Sequence, residues 1–180
     1  MPNFAVIFIT YALNYGLLFM HAEYSTAHLD VKPENILVHK GDVTIADMGV
    51  SKTMNPSDDH NSALPGCGTP AYAPPEAGWE GDDGDNDIFT GDTVTLMTTT
   101  TSFKLKLPKF LLKEAFDVYT LGVSLIQIIN NKSPTRQNRF VVEEKKKFYD
   151  PVVLEMIARM VAVKPEDRPT CEEISLFLMD

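Results

Sequence analysis

The chain opens on a nearly unbroken apolar run, Phe4 through Met20, with Gly16 as its one helix breaker, and turns polar at His21–Thr26. A run of that length predicts a helix over 4–21. Two short β-branched runs follow, Ile36-Leu37-Val38 and Val43-Thr44-Ile45, separated by His39-Lys40-Gly41-Asp42. Glycine in so short a connection supplies positive φ, so the pair reads as a hairpin, with Asp30 on the loop before it and Asp47 just after. Both carboxylates can then converge on one spot. Residues 50–75 are dense in Pro, Gly, Ser, Asn and Asp, which predicts a long loop of the kind usually kept for function. Between 78 and 112 an acidic stretch, a threonine tract and spaced lysines predict a surface insertion, partly disordered or a solvated hairpin. The remainder is helical by pattern: Asp117–Asn131, amphipathic Asp150–Val163, and Thr170–Met179, which opens on a capping box of Thr170 and Glu173. The expected fold class is mainly α with a small β-hairpin.

At 180 residues and 44% apolar composition the chain is long enough to bury a core. Its net charge of −9 excludes nucleic acid as a partner, since that binding needs clustered Lys and Arg. Cys67 and Cys171 form no C-x-x-C pattern and read as free thiols in a reducing compartment, cytoplasmic with the nucleus as the alternative. No zinc site is expected, because four histidines and two cysteines never fall at ligand spacing. The first twenty residues carry no charge, yet the basic start of a signal peptide is missing. Thr10, Tyr11, Asn14, Tyr15 and Gly16 interrupt the run as a membrane span, so a core helix packed on several sides is the favoured reading and a membrane partner is not expected. Gly84–Gly91 looks like one calcium-binding β-roll repeat, but such repeats bind only when stacked. As an EF-hand loop counted from Asp83 it puts Ile88 where glycine is needed, and it reads as a solvated acidic loop.

The stretch His28-Leu29-Asp30-Val31-Lys32-Pro33-Glu34-Asn35, followed by Asp47-Met48-Gly49, resembles the catalytic and metal-binding loops of eukaryotic protein kinases, H-R-D-x-K-P-x-N then D-F-G. Three further landmarks come in that family's order: Gly68-Thr69-Pro70-Ala71-Tyr72-Ala73-Pro74-Pro75-Glu76, Asp117-Val118-Tyr119-Thr120-Leu121-Gly122-Val123, and Arg168-Pro169-Thr170. The resemblance implies a truncated α+β kinase fold, with 1–180 as the C-terminal lobe. Its parts would be core helix 4–21, catalytic loop 28–35, metal loop 47–49, activation segment 47–76, insertion 78–112 and C-terminal helices 117–179. The first lysine or arginine is Lys32. An N-lobe, with its glycine-rich loop and phosphate-pairing lysine, is therefore expected to be absent, leaving the chain catalytically incomplete.

The resemblance also implies roles. Asp30 would orient the substrate hydroxyl and accept its proton, and Lys32 would neutralise charge on the γ-phosphoryl as it transfers. Asn35 and Asp47 would hold Mg²⁺; Lys32, Glu34, Asn35, Leu37 and Asp47 would form the ATP site, with Leu37 under the adenine. His28, Thr69, Glu76, Asp117 and Arg168 would be structural, Glu76 and Arg168 as a buried ion pair and Asp117, at the start of its helix, holding amides near His28. Lys32 with Thr69 resembles the serine/threonine-specific pattern, so the implied partners are ATP, Mg²⁺, a protein Ser or Thr hydroxyl and a regulatory protein. Leu29 stands where the family usually has the arginine that pairs with an activation-loop phosphate, so phosphorylating Thr53, Ser57 or Ser62 is not expected to order the loop through this site. Met48 replaces phenylalanine, a milder change. The competing reading is a non-catalytic binding module built on the same lobe.

Overall fold

The protein, as a computed structural model, is described over residues 3–54, 66–77, 94–97, 102–105, 109–135, 142 and 149–179. Among these residues four α-helices carry the fold: α1 (Asn3–Tyr24), α2 (Lys109–Asn130), α3 (Pro151–Met160) and α4 (Cys171–Met179). Among the described residues there are six short strands, paired as three two-stranded antiparallel sheets. The protein is thus mostly helical with small sheets, which is compatible with a kinase-like fold.

Helix α2 is the central post. Val118, Tyr119, Leu121, Val123 and Leu125 are all buried along it, and Val6, Leu13 and Leu17 of α1, Met156, Ile157 and Met160 of α3 and Ile174 of α4 belong to the same buried cluster. It ends at Asn130, with Asn131 in the left-handed region (φ +54°) that commonly stops a helix. Helix α3 starts on Asp150, whose side chain accepts from the Val152 amide at 2.9 Å, with Pro151 at the first helical position. The box at α4 closes in both directions, Thr170 N to Glu173 Oε2 at 3.0 Å and Glu173 N to Thr170 Oγ1 at 3.2 Å.

Strands β2 (Ile36–His39) and β3 (Asp42–Ile45) form the hairpin, with Ile36 opposite Ile45 and His39 opposite Asp42. Its turn is Lys40-Gly41, both at positive φ, which matches the twist of a two-residue hairpin. Strand β1 (Thr26–Ala27) pairs with β4 (Lys52–Thr53), and so brackets the segment between them. Strands β5 (Val94–Met97) and β6 (Ser102–Leu105) make a second hairpin within 78–112. Gly84–Gly91 lies outside the described residues.

Three expectations need correction. Helix α2 begins at Lys109, so residues 109–112 belong to it rather than to the insertion, and Asp117 stands more than two turns inside the helix rather than at its start. Lys113 broke the apolar pattern, but its ammonium is buried and donates to the Thr53 carbonyl, a long-range partner that no local pattern reveals. Helix α1 is not covered on every side. Phe4, Phe8, Tyr11, Tyr15 and Phe19 form an exposed stripe at helical spacing, with Phe4 stacked on Phe8 and Tyr11 on Tyr15. The polar residues that spoiled the apolar run face inward instead: Thr10 Oγ1 donates to Val6 O, and Asn14 Nδ2 to Cys171 O and Ser175 Oγ. By length and composition alone, Phe4–Tyr24 is apolar enough to cross a membrane.

A Cβ added at Gly122 would lie 2.8 Å from Val161 Cγ1 and 2.9 Å from Met160 Cβ. The α2–α3 contact therefore leaves no room for a methyl group. Gly122→Ala should lower stability by about 1–3 kcal/mol, the usual range for overpacking a tight core, read as a lower urea midpoint. An unchanged midpoint would mean the two helices can separate at no cost.

Candidate active site

The 3-10 turn Pro33–Asn35 and the hairpin hold the two acidic loops. Asn35 O accepts from Ala46 N at 2.8 Å, and His28 Nε2 lies 3.1 Å from Ala46 O. His28 Nδ1 takes the Asp30 amide at 3.2 Å, so Nε2 is the protonated nitrogen and one imidazole spans both loops. His28 itself is fully buried, a structural placement.

Behind the loop stands Asp117 on α2. Its Oδ1 accepts from Leu29 N at 2.6 Å, and its Oδ2 from His28 N at 2.7 Å and from His21 Nε2 at 2.8 Å. Ser124 on the same helix donates to Val31 O at 3.1 Å. The backbone at Leu29 is left-handed (φ +67°), costly for a leucine and held by these contacts.

Asp30, Lys32, Asn35 and Thr69 form one closed network. Asp30 Oδ2 is 2.8 Å from Lys32 Nζ and 3.3 Å from Asn35 Nδ2, while Oδ1 accepts from Thr69 Oγ1 at 2.7 Å. Lys32 Nζ also donates to Thr69 Oγ1 at 2.7 Å, and Asn35 Nδ2 to Asp30 O at 2.9 Å. Burial pushes the Asp30 carboxyl up, but the hydrogen bonds from Lys32 and Thr69, the Lys32 charge and the Asn35 amide outweigh it, leaving the group below its ordinary 3.8. Asn35 spends its amide nitrogen on Asp30, so its side-chain oxygen is the atom suited to a cation.

Asp47 is exposed and left-handed (φ +65°), and its Oδ1 accepts from Gly49 N at 3.2 Å. The network above does not include it; the two loops meet through Ala46 and the His28 ring. Asp47 and the Asn35 oxygen are hard donors, the set magnesium prefers, so the residues fit that ion. Leu37 lies on β2 with its side chain largely exposed, and Glu34 Oε2 lies 3.4 Å from the Tyr72 hydroxyl. Tyr72 also donates to Gln127 Oε1; burial pushes its hydroxyl up to about 12, and the Glu34 carboxylate adds to the shift.

The chain after Asp47 is tied down at two points. Gly68 has φ +73° and a Cβ there would collide with Leu29 O, so only glycine lets this stretch of chain reach the loop that carries Asp30. Leu29, Ala27, Met54, Cys67, Ala73, Ala77 and Phe116 form a separate buried apolar cluster. Leucine in place of arginine therefore makes that contact hydrophobic. Of the three hydroxyls considered for phosphorylation, Thr53 is exposed on β4, and Ser57 and Ser62 lie outside the described residues. Farther on, Glu76 meets Arg168 as a bidentate pair, with NH2 to Oε2 at 2.8 Å. Arg168 also donates to the carbonyls of Ala162, Ala115 and Val163, which occupies every guanidinium hydrogen.

His21, Ser124, Lys113 and Gln127 escaped sequence reasoning. Each acts through a partner far away in the chain, and only His21, at the polar end of the first apolar run, had a local cue.

An ionised carboxylate with a lysine beside it thus lies next to loops that carry an amide and a second carboxylate. The sequence pattern of the protein kinase domain matches residues 1–103. Serine/threonine-protein kinase 17A of Oryctolagus cuniculus is 25% identical over 175 residues, covering 88% of this chain and 36% of that protein. A calcium/calmodulin-dependent protein kinase kinase of Caenorhabditis elegans is 30% identical over 139 residues, covering 77% and 20%. Mitogen-activated protein kinase kinase 1 of Arabidopsis thaliana is 27% identical over 160 residues, covering 88% and 42%. The chain belongs to the protein kinase family. It spans between about a fifth and two fifths of the length of these relatives.

Two outcomes test the geometry. Because Asp30 has a depressed value in the fold, its contribution to stability is present above its unfolded value and lost as pH falls through the folded one. A carboxyl ¹³C titration should place Asp30 below 3.8 and move it upward in Lys32→Met; a value unmoved by that change would show that the lysine does not hold the charge. Glu76→Gln, which leaves the fully buried guanidinium of Arg168 without its counter-charge, should lower unfolding free energy by about 3–5 kcal/mol. A loss under about 1 kcal/mol, the scale of an exposed pair, would put the ion pair outside the core.

Proposed function

We propose that this chain carries the catalytic and substrate-binding part of a protein serine/threonine kinase, which moves the γ-phosphoryl of ATP to a protein Ser or Thr hydroxyl. The observation that carries the reading is the closed network of Asp30, Lys32, Asn35 and Thr69. Asp30, kept ionised, accepts the incoming hydroxyl's hydrogen bond and then its proton. The Thr69 hydroxyl, placed between Asp30 and Lys32, is a template for how a second hydroxyl can sit between base and cation. Lys32 balances charge gathering on the transferred group. Asn35 and Asp47 would hold magnesium, which when bound with ATP neutralises the phosphates. Glu34 would act through Tyr72, fixing the segment on which substrate lies. Cys67 and Cys171, both buried and in no disulfide, suit a cytoplasmic or nuclear setting.

The nucleotide's other face needs cover that these residues do not supply. Leu37, Val38, Met48 and Val50 are 54%, 68%, 54% and 44% exposed around the site. This favours a C-lobe that is catalytically incomplete by itself. The same observation keeps a second reading, a kinase-like binding module that engages a regulatory protein without chemistry.

The test is to capture the endogenous protein with an antibody to residues 150–180, measure its intact mass and offer it Mg-ATP and a peptide substrate. A product well above 20.1 kDa that phosphorylates Ser or Thr, about 10²–10⁴-fold less in Asp30→Asn, is the expected result. A 20.1 kDa product without transfer, whose partner binding survives Asp30→Asn and Asp47→Ala, would replace the enzyme with the binding module.

A further inference from the structure

On the far side of Asp117 from the catalytic loop, three side chains from three helices meet: His21 at the end of α1, Glu114 on α2 and Cys171 at the start of α4. Their ligand atoms all lie within 4.8 Å of one another, with His21 Nδ1 3.7 Å from Cys171 Sγ and 4.0 Å from Glu114 Oε1. We propose that this cluster is a zinc site, distinct from the magnesium ligands of the active site.

The chemistry and the spacing support it. Around a tetrahedral zinc with bonds of about 2.0–2.1 Å to N and O and 2.3 Å to S, ligand atoms sit about 3.3–3.6 Å apart. The His21–Cys171 separation is already close to that, and the Glu114 carboxylate needs to swing in by up to about 1 Å. His21 is already oriented as a metal ligand: its Nε2–H faces Asp117 Oδ2 at 2.8 Å, which leaves Nδ1 with its lone pair toward Cys171 and Glu114. A carboxylate on the remote ring nitrogen is the usual support of a zinc-bound histidine. Thiolate and carboxylate together cancel the charge of a divalent ion, as a buried site requires, and a soft sulfur with imidazole selects zinc over magnesium or calcium. On binding, the Cys171 thiol proton passes to solvent as the S–Zn bond forms.

Glu114, the partly exposed member of the cluster, also lines a cleft of about 220 Å³ together with Pro165, Glu166, Arg168 and Thr170, while His21 and Cys171 lie behind it. A water on the Glu114 side would be the fourth ligand. The bland alternative uses the same atoms: the Cys171 thiol donates to His21 Nδ1 and no metal enters. The expectation of no zinc rested on ligand spacing along the chain. Here 150 residues separate His21 from Cys171, so only the fold brings them together.

The purified chain is titrated with Co²⁺ as the spectroscopic stand-in for zinc, and zinc is then used to displace it. The expected result is one cobalt per chain, with a thiolate-to-cobalt charge-transfer band that zinc abolishes, that Cys171→Ala and His21→Asn lack and that Cys67→Ala keeps. Glu114→Gln, nearly isosteric at a partly exposed position, should weaken cobalt binding by about 10-fold or more. A missing band in the parent chain, a band surviving Cys171→Ala, or an affinity unchanged in Glu114→Gln overturns the proposal.

Discussion

The Asp117 carboxylate is the constraint from which the site is hung. It lies fully buried within α2 and accepts three hydrogen bonds, from the amides of His28 and Leu29 and from His21 Nε2. A buried charge is tolerated only when its acceptor capacity is filled, and these donors fill much of it. Two belong to the loop that carries Asp30, so desolvation of one aspartate fixes the backbone presenting another. The left-handed turn at Leu29 persists because the residues on both sides are held.

From that anchor the constraint passes outward through packing rather than charge. Leu29 sits in an apolar cluster with Met54, Cys67 and Phe116, and Gly68 brings its chain against the Leu29 carbonyl. The next residue, Thr69, is thereby set within hydrogen-bond reach of both Asp30 and Lys32. Glu76 then ends the segment on Arg168, whose guanidinium also lies over the Tyr119 ring at 4.7 Å. Charge fixes the two ends of this path, and hydrophobic burial fixes its middle.

Much of this was legible in the sequence where a local rule applied. The hairpin followed from two β-branched runs around a glycine, and the α4 box from Thr170 and Glu173. The loop of Asp30, Lys32 and Asn35 could be singled out because it resembles a protein kinase motif. What stayed hidden depended on distant partners. The early start of α2 was masked by Lys113, whose amine finds a carbonyl 60 residues away. The outward face of α1 could not be read because the whole run is apolar, so periodicity carried no direction; Thr10 and Asn14 turned inward to bonds supplied by their own helix and by α4. The metal-ligating potential of His21 was hidden for the same reason.

The distribution of exposed apolar surface bears on how such a site works. A phosphoryl-transfer centre gains from a low-dielectric setting, where each fixed charge acts more strongly than in water. Asp30 and Lys32 are mostly withdrawn from solvent on the side built from α2 and the Thr69 segment, while Asp47, Met48 and Leu37 stand open on the other. Preorganisation and water exclusion are therefore separated in space. The residues of the network are locked by the buried carboxylate, and the face that a nucleotide would meet on the proposed reading is an apolar surface ready to be covered. Only a surface that buries Leu37, Val38 and Met48 together would raise the strength of the Asp30–Lys32 field without disturbing its geometry.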